Sequence, residues 1–501
     1  MGAGRKYNRG MALPIAIYST RQVRELDAHA IEQQGVAGYT LMKRAGQASL
    51  HALRGHWPAA QRIAIVCGAG NNAGDGYVLA PMARAAGLQV RVLAASEPTR
   101  LRGDAQRAWQ DWIASGGAVE PFSAAALASA EVIIDALLGT GLEGPVRGDT
   151  AAVIAAINAL GQPVLSLDIP SGLSGDTGLP CGAAVRATAS ISFVGLKAGL
   201  FLGDGPDYCG TLFFDDLGVG TPDPPPEPRL QRMLQIEIAA GLPRRARAAH
   251  KGSFGRILIV GSGPGMPGAT ALAGEAALRV GAGLVTVLAA PECASAVAAH
   301  RPELIVQALH DVAAVDGFIE RADVVAVGPG LGTSDWSRAV LHRVMQTDKP
   351  LIVDADALNL IAAQGLGPRG NWVLTPHPGE AARLLGCSTT EVQQDRLGAL
   401  ERLVARFGGI VVLKGAGTLV GSRGRIAAFC EQGNPGMATA GMGDVLTGAL
   451  AGIRAQMPDP WAATRVAVLA HALAGDAEAR RGERGLLAGD VARGLRAWVN
   501  A

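Results

Sequence analysis

Short runs of apolar residues alternate with stretches of helical spacing through the first half of the chain. The apolar runs cover residues 62–67, 90–94, 132–138, 164–169 and 191–194. Helical spacing intervenes, for example over residues 76–86 and 150–160. Continuous apolar strands separated by helices predict a parallel sheet that is covered on both faces. Ligands of such sheets bind beyond the carboxyl ends of the strands.

Two helices are expected before this alternation begins. Ser19 and Gln22 have the spacing of a capping box, which predicts a helix from there to about residue 34. A second helix is expected over residues 41–55.

The alternation restarts after a proline-rich segment, residues 221–228, that can form neither a helix nor a central strand. Its later apolar runs cover residues 257–260, 284–288, 324–327, 351–353, 372–374 and 410–413. Two helices, over 443–456 and 461–480, are expected to close a second α/β domain. We therefore predict an extension at 1–14, one domain at 15–220, a linker at 221–240 and a second domain at 241–501. No residue-level repeat relates the halves.

Composition narrows the class of protein. The 501 residues are 49% apolar and 18% charged, with a formal net charge of +2, which gives no general argument for nucleic acid or a membrane surface. Six cysteines lie far apart without a CxxC pair, which speaks against a zinc site or a disulfide framework. We expect a cytoplasmic, homo-oligomeric protein, whose true start could be Met11.

The segment 434–448, NPGMATAGMGDVLTG, has the composition of an anion site. Gly441 and Gly443 allow the backbone amides to converge, and the helix that follows adds the positive end of its dipole. Asp444 suits a base that takes a proton from a hydroxyl about to be phosphorylated, but it would equally suit a helix cap. Taken alone, the segment leaves both interpretations open.

Five other strand ends in the second half carry glycine or polar residues. They lie at 261–263, 328–332, 354–356, 375–380 and 414–418. Each is ordinary turn chemistry on its own, but in a parallel sheet all of them meet along one edge. For Asp354 and Asp356, helix capping is the expected role, with an indirect role near magnesium as the alternative.

From about residue 250 onward the chain resembles the ribokinase-like superfamily, and within it the dehydratases that repair hydrated NADH and NADPH. The motifs are HKGSFGRILIVGSG, GAGLVTV, GPGLG, DADALN, TPHPGE, KGAGT and NPGMATAGMGDVLTG. The resemblance implies a ribokinase-like three-layer sandwich and the use of ADP or ATP with Mg²⁺, ADP being the bacterial preference. It implies phosphorylation of the ring hydroxyl, because a phosphate ester leaves far more readily than hydroxide.

The same resemblance assigns roles to individual residues. Asp444 would be the catalytic base, and the amide of Gly443 would contact the transferred phosphoryl group. The nucleotide loop would consist of Lys414, Gly415, Ala416, Gly417 and Thr418. The hydrated dinucleotide would be contacted by Ala269, Gly330, His377 and Asp444. For His377, which lies between two prolines, bracing of a rigid loop is the competing interpretation.

In the first half, residues 67–76 lie between a predicted strand and a predicted helix. They are rich in glycine but do not form GxGxxG, which disfavours a plain Rossmann dehydrogenase. Two further strand ends carry Asp135 and Asp168, for which capping of loops is the alternative to function. Gly139-Thr140-Gly141-Leu142 follows the first of these aspartates.

Residues 15–220 resemble the epimerase domain of the same repair system, a Rossmann-like three-layer sandwich, through GAGNNAGDGYVLA, DALLGTGL and LDIPSGL. The implied substrate contacts are Asn71, Asn72, Ala73, Gly74, Asp75, Gly139, Thr140, Gly141, Leu142 and Asp168. Asp168 would also be the acid–base residue. The implied ligands of a potassium ion are Asn72, Asp135 and Ser171, whose oxygen atoms suit a hard cation. Ala73 stands where the family usually has glycine, which would matter if the backbone there required a positive φ.

Together these features predict a bifunctional enzyme that interconverts the R and S forms of hydrated NAD(P)H and dehydrates the S form with a nucleotide. The alternative is a ribokinase-like kinase of a small vitamin precursor, fused to a non-catalytic dinucleotide-binding domain. The GxGD segment cannot separate the two, because both reactions begin with the same phosphoryl transfer.

Overall fold

The structure, a computed structural model, describes residues 13–142 and 144–500 and divides into two compact units at Leu230. Residues 1–12, which make up most of the predicted extension at 1–14, lie outside the described residues. No helix among the described residues is long and apolar enough to cross a membrane.

The amino-terminal unit contains nine strands and seven α-helices within the described residues. In chain order they are β1 Ala16–Tyr18, α1 Thr20–Glu32, α2 Gly38–His56, β2 Arg62–Cys67, α3 Asn71–Ala85, β3 Gln89–Ala94, α4 Gly103–Ala114, β4 Glu120–Pro121, α5 Ala124–Leu127, β5 Val132–Ala136, α6 Gly148–Leu160, β6 Val164–Leu167, β7 Ala189–Phe193, β8 Leu196–Lys197, α7 Gly205–Cys209 and β9 Thr211–Asp215. Short 3₁₀ turns lie at Pro98–Arg100 and Ala198–Leu200.

Seven of these strands form a parallel sheet in the order β4-β3-β2-β5-β6-β7-β9. Alternate residues of β2 enter two different cores. Ile63 and Ile65 pack with α2, α3 and α4, whereas Ala64 and Val66 pack with α5 and α6. The sheet is therefore the middle of three layers, which confirms the predicted fold of this half.

The carboxy-terminal unit contains the remaining elements. They are β10 Leu230–Arg232, α8 Ile236–Gly241, β11 Arg256–Val260, α9 Pro267–Arg279, β12 Leu284–Ala289, α10 Pro291–His300, β13 Ile305–Ala308, α11 Val315–Arg321, β14 Val324–Val327, α12 Asp335–Val344, β15 Leu351–Val353, α13 Ala355–Gln364, β16 Trp372–Leu374, α14 Pro378–Leu385, α15 Thr389–Gln394, α16 Arg396–Phe407, β17 Ile410–Leu413, β18 Thr418–Ser422, β19 Ala427–Cys430, α17 Met442–Arg454, α18 Pro460–Ala479 and α19 Ala488–Trp498. Three 3₁₀ turns lie at Lys251–Phe254, Val312–Ala314 and Pro435–Met437.

The strands of this unit follow the order β13-β12-β11-β14-β15-β16-β17-β18-β19. They are parallel up to β17, and β18 and β19 are antiparallel additions. Ile257 and Ile259 of β11 pack with α9, α17 and α18, and Leu258 and Val260 on the opposite face are also buried. The second three-layer α/β sandwich is likewise confirmed.

Helices α9 and α17 approach each other closely because glycines face the contact. A Cβ on Gly448 would lie 1.9 Å from the carbonyl oxygen of Ala273, and a Cβ on Gly452 would lie 2.5 Å from Val280. Neither position tolerates a side chain unless the helices separate.

Several predicted boundaries shift in the structure. The capping box at Ser19 is present, as predicted. Helix α3 begins at Asn71, five residues before the expected start, and α19 was not predicted. The predicted linker at 221–240 contains β10 and most of α8.

Candidate active sites

Helix α17 begins with the GMGD segment. Gly441 is its N-cap, in a left-handed conformation with φ of 88°, and the helix runs from Met442. Asp444 is the third helical residue and lies in the first turn, so it is not the N-cap residue. The positive φ explains the first glycine of the motif, since other residues pay a steric penalty there.

A buried ion pair lies beside the start of α17. Lys414 Nζ donates to Asp354 Oδ1 at 2.7 Å, and Thr447 Oγ1 donates to Asp354 Oδ2 at 2.8 Å. A Cβ on Gly443 would lie 3.1 Å from Lys414 Nζ, so the second glycine of the motif leaves room for this amine. Asp354 occupies the N-cap position of α13, as expected, but its side chain makes no capping hydrogen bond and accepts from Lys414 and Thr447 instead.

The charges of this cluster set the protonation of Asp444. Burial, followed by the negative charge of Asp354, raises the pKa of Asp444 to about 7, against the opposing effect of Lys414. Burial also raises the pKa of Asp354, but Lys414 and hydrogen bonds outweigh it and leave that pKa lowered. Asp354 is thus the fixed anion and Asp444 the carboxyl group that can exchange a proton near neutral pH.

Glu380 completes the cluster. It is buried on α14, and its carboxylate lies 3.8 Å from Lys414 Nζ. Burial raises its pKa to about 7, against the effect of Lys414. One lysine therefore faces three carboxylates, those of Asp354, Glu380 and Asp444.

The predicted nucleotide loop follows β17. Gly415 and Gly417 have φ of 128° and 66°, and the backbone N–H of Lys414 donates to the carbonyl of Pro376. Ala416 and Gly415 are exposed, whereas the Lys414 side chain points into the unit and is only 18% exposed. The backbone of the loop is thus exposed, whereas its lysine side chain lies in the buried cluster with Asp354 and Glu380.

Besides Asp444, the predicted dinucleotide contacts of this unit lie at strand and helix ends. Ala269 is in the first turn of α9, and its Cβ lies 3.0 Å from the position of a Cβ on Gly330, whose φ is 57°. His377 is the N-cap of α14, and its Nδ1 accepts from the amide of Gly379 at 3.0 Å. The bracing role of His377 is therefore present, and half of its side chain remains exposed.

In the amino-terminal unit, Asp135 and Ser171 form one buried network. Ser171 Oγ donates to Asp135 Oδ1 at 2.5 Å, and Ser166 Oγ donates to Asp135 Oδ2 at 2.7 Å. Asn72 Nδ2 donates to the carbonyl of Leu138 at 2.9 Å, and Ser171 Oγ lies 3.1 Å from the same carbonyl. The three predicted cation ligands are thus neighbours.

One oxygen atom of this network has no hydrogen-bond partner. Asn72 Oδ1 is buried and unpaired in the part of the chain that the structure describes. An unpaired buried acceptor is costly, and a cation would satisfy it. The described residues hold no group of three or more His, Cys, Asp or Glu side chains that could bind a metal ion, so a site here would rely on serine, amide and carbonyl oxygens.

Asp168 lies directly after β6 with φ of 67°, an uncommon conformation for a residue other than glycine. Its carboxylate accepts from Lys197 Nζ. Lys197 is fully buried and also donates to Ser192 Oγ at 3.1 Å and to the carbonyl of Phe193 at 3.0 Å. All three N–H donors of the ammonium group are therefore used. Two of them hold Lys197 in place, and the third holds the Asp168 carboxylate.

Two more carboxyl groups lie near this pair. Burial raises the pKa of Asp27 to about 6, with Lys197 lowering it and Asp168 raising it. Burial, followed by the charges of Asp168 and Asp27, raises the pKa of Asp75 well above its ordinary value. A Cβ on Gly139 would lie 3.7 Å from Asp168 Oδ2 and 3.4 Å from Asn72 Cβ, which joins the predicted loop to both sites.

The segment from Asn71 to Asp75 is helical, since α3 begins at Asn71. Asp75 therefore lies inside the helix, whereas the predicted helix began only after it, at residue 76. Ala73 is buried in this first turn and has no positive φ, so its methyl group fits the backbone there. Thr140, Gly141 and Leu142 lie beyond β5, with Gly141 exposed.

Three residues of these sites were not predicted from the sequence: Lys197, Asp27 and Arg396. Lys197 stands within the otherwise apolar run ISFVGLKAGLF, and a lone lysine among buried positions is the signal that was available. Asp27 is one of several polar residues on an amphipathic helix, and nothing in the local sequence separates it from the others. Arg396 begins α16 and lies under the nucleotide loop.

Two family models match the chain. Residues 38–199 match the model described as YjeF-related protein N-terminus, and residues 257–496 match the model described as NAD(P)H-hydrate dehydratase. The bifunctional NAD(P)H-hydrate repair enzyme Nnr of Coxiella burnetii is 46% identical over 97% of this chain and 99% of its own length. The enzyme of the same description from Escherichia coli is 40% identical over 98% of this chain and 95% of its own.

Among solved structures, a ribokinase-like superfamily protein from Enterococcus faecalis aligns with a TM-score of 0.51 at 29% identity. The alignment covers 54% of this chain and 96% of that one. This alignment supports the ribokinase-like fold, and the two family models together with the full-length relatives give the assignment. The chain belongs to the family of bifunctional NAD(P)H-hydrate repair enzymes.

Proposed function

We propose that the carboxy-terminal unit dehydrates the S form of hydrated NADH and NADPH at the expense of a nucleotide, with ADP preferred, and that the amino-terminal unit interconverts the R and S forms. The observation that carries the dehydratase proposal is the position of Asp444, with a pKa of about 7, at the positive end of α17. A base with a pKa near the working pH is effective in proton transfer.

In the dehydratase reaction, the oxygen of the ring hydroxyl attacks the terminal phosphorus of the nucleotide while Asp444 takes the hydroxyl proton. The bond from that phosphorus to the bridging oxygen breaks, and AMP leaves when the nucleotide is ADP, or ADP when it is ATP. The amide of Gly443 and the positive end of α17 stabilise the charge that develops on the phosphoryl group. The bond between carbon and the phosphate oxygen then breaks, driven by the lone pair of the ring nitrogen. Loss of a proton from the neighbouring carbon restores the double bond and gives NAD(P)H and phosphate.

Ala269, Gly330 and His377 would hold the hydrated dinucleotide, and the segment from Lys414 to Thr418 would hold the nucleotide. Magnesium fits as an ion carried by the nucleotide phosphates, because the described residues offer no cluster of three metal-ligating side chains. When bound, it would neutralise phosphate charge.

In the epimerase reaction, Asp168 would contact the hydrated ring and act as the acid–base residue that interconverts the two epimers. The substrate would lie against residues 71–75 and 139–142. Lys197 keeps the Asp168 carboxylate in place through its buried hydrogen bond. Asp27 and Asp75, whose pKa values are raised, could carry the exchanged proton.

The residues Asn72, Asp135 and Ser171 fit a potassium ion. The unpaired Asn72 Oδ1 and the carbonyl of Leu138 supply oxygen atoms next to the Asp135 carboxylate. A bound potassium ion would supply fixed positive charge beside the dinucleotide.

The vitamin-precursor kinase is disfavoured by the full-length relatives, which share both halves of the chain. Homo-oligomerisation and a cytoplasmic location stay predictions from the sequence.

One assay tests the proposal. A mixture of the R and S forms of hydrated NADH is incubated with ADP or with ATP, and the return of reduced-nicotinamide absorbance is followed. We expect full recovery with ADP and slower recovery with ATP. If neither ADP nor ATP restores the absorbance, the proposal is wrong.

A further inference from the structure

Arg396 is a buried cation directly under the proposed nucleotide loop. It is the first residue of α16 and only 5% exposed. Its Nη2 donates to the carbonyls of Lys414 at 3.2 Å, Gly417 at 3.3 Å and Leu413 at 3.4 Å. Three carbonyls at the two ends of one loop therefore converge on a single guanidinium group.

The guanidinium has no acidic partner. Within the described ranges, no carboxylate lies within ion-pair distance of Arg396, its Nη1 donates to the neutral Gln393 at 2.9 Å, and its Nε is buried without a partner. Burial lowers its pKa to about 10. A buried charge is costly unless it is paired, so an arginine kept here without a carboxylate calls for another source of negative charge.

The loop geometry indicates that source. The C=O and N–H groups of a trans peptide point in opposite directions, so the carbonyl of Lys414, which faces Arg396, turns the amide of Gly415 the other way. Gly415 is exposed and has φ of 128°, and a Cβ there would lie 3.0 Å from Arg396 Nη1. The loop therefore directs carbonyls toward a cation and the Gly415 amide outward.

We propose that Arg396 is a positioning residue for nucleotide binding, which orients the amides of the Lys414–Thr418 loop and supplies positive charge for the phosphates of a nucleoside di- or triphosphate. The inference rests on the proposed function of this loop. It adds a residue that touches neither substrate and acts through the loop backbone. Arginine suits this task because its donors form a planar fork with a permanent charge.

The test compares Arg396→Met and Arg396→Lys with the wild type in the full chain. Arg402→Met is the matched control, because it removes an exposed positive charge from the same helix. The readouts are KM for ADP, KM for the S form of hydrated NADH and kcat. We expect Arg396→Met to raise KM for ADP by about tenfold or more and to leave KM for hydrated NADH within about twofold. Arg396→Lys should restore part of the loss.

Calorimetric titration with ADP and Mg²⁺ separates this inference from the proposed function. If the wild type fails in the dehydratase assay yet binds ADP, weaker ADP binding by Arg396→Met still supports the positioning role. ADP binding or KM for ADP that matches the wild type in Arg396→Met would overturn it. So would an equal loss of affinity for both substrates, or a wild type that does not bind ADP. If Arg396→Met does not fold, Arg396→Lys decides by the same criteria.

Discussion

Lys414 and Asp354 form a buried ion pair that joins β17 to β15 across the start of α17. Removing the lysine by Lys414→Met leaves the Asp354 carboxylate buried and unpaired, which we expect to destabilise the carboxy-terminal unit by about 3–5 kcal/mol. The double variant Lys414→Met/Asp354→Asn should be less destabilised than Lys414→Met alone, because the charge of Asp354 is removed together with that of its partner. Hydrogen exchange of the β15 and β17 amides measures both changes. If the double variant loses at least as much stability as Lys414→Met alone, Asp354 is not the main partner of Lys414.

Asp444→Asn removes the proposed base and keeps the shape of the side chain. We expect dehydration of either epimer to fall by about 10²–10⁴-fold, because general-base catalysis contributes on that scale. The measurement is the return of reduced-nicotinamide absorbance with ADP. Asp335→Asn, at an exposed position in the first turn of α12, is the matched control and should react like the wild type. Interconversion of the epimers by Asp444→Asn should be unchanged, and a loss there would point to a general folding defect.

The raised pKa of Asp444 gives the dehydratase a defined pH dependence. The base must be deprotonated, so below its pKa of about 7 kcat/KM should fall about tenfold per pH unit. The stability effect has the opposite sign. A folded-state pKa above the unfolded value means that the folded chain holds more protons between about pH 4 and 7, so this group lowers stability as pH rises. Asp444→Asn should therefore gain stability relative to wild type at pH 8 and not at pH 3.5, which thermal unfolding can measure.

Asp168→Asn should separate the two activities. We expect recovery of the S form to stay near the wild-type rate, while recovery of the R form slows by about 10²-fold or more. Lys197→Met should give the same pattern, because Asp168 loses the ammonium group that fixes it. Single-epimer substrates with excess ADP provide the measurement. Equal slowing of both epimers by Asp168→Asn would contradict the division of labour.

Binding of a potassium ion at Asn72 should be detectable through its effect on thermal stability, without an activity assay. A ligand that binds only the folded state raises Tm with its concentration. We expect KCl to raise the Tm of the wild type relative to choline chloride at the same ionic strength, and Asn72→Ala to lose that difference. Asn158→Ala is the control, since Asn158 makes hydrogen bonds to Ala184 and Arg186 away from the network. The same potassium effect in Asn72→Ala would exclude this site.

Sequence patterns predicted the strands best where burial was complete. The runs ending at Cys67, Val327 and Leu413 were located correctly because parallel strands covered on both faces are continuously apolar. The antiparallel strands β18 and β19 were missed, because glycine and serine interrupt the pattern of β18 and β19 is only four residues long. Helix α3 began earlier than expected because the NNAGD segment contains residues that usually form turns, and tertiary packing overrides that preference.

In the candidate sites, some residues could be predicted from the local sequence and others could not. Asp168, Asp444 and Lys414 could be chosen from motifs because they follow strands or glycines. Their partners could not, since contacts such as that between Lys197 and Asp168 depend on how distant segments meet. The pairing of Asp354 with Lys414, 60 residues apart, is likewise invisible in the local sequence, where an aspartate before a helix indicates only a cap.

The glycine contact between α9 and α17 fixes the relative position of two residues that are proposed to contact the substrate. Ala269 lies in the first turn of α9 and Asp444 in the first turn of α17, while Gly448 lies one turn further along against Ala273. Because the helices are in close contact at Gly448, neither can shift far relative to the other. The distance between Ala269 and Asp444, one at the start of each helix, is therefore fixed by this contact. Catalytic alignment would then be sensitive to the size of a residue that never meets the substrate.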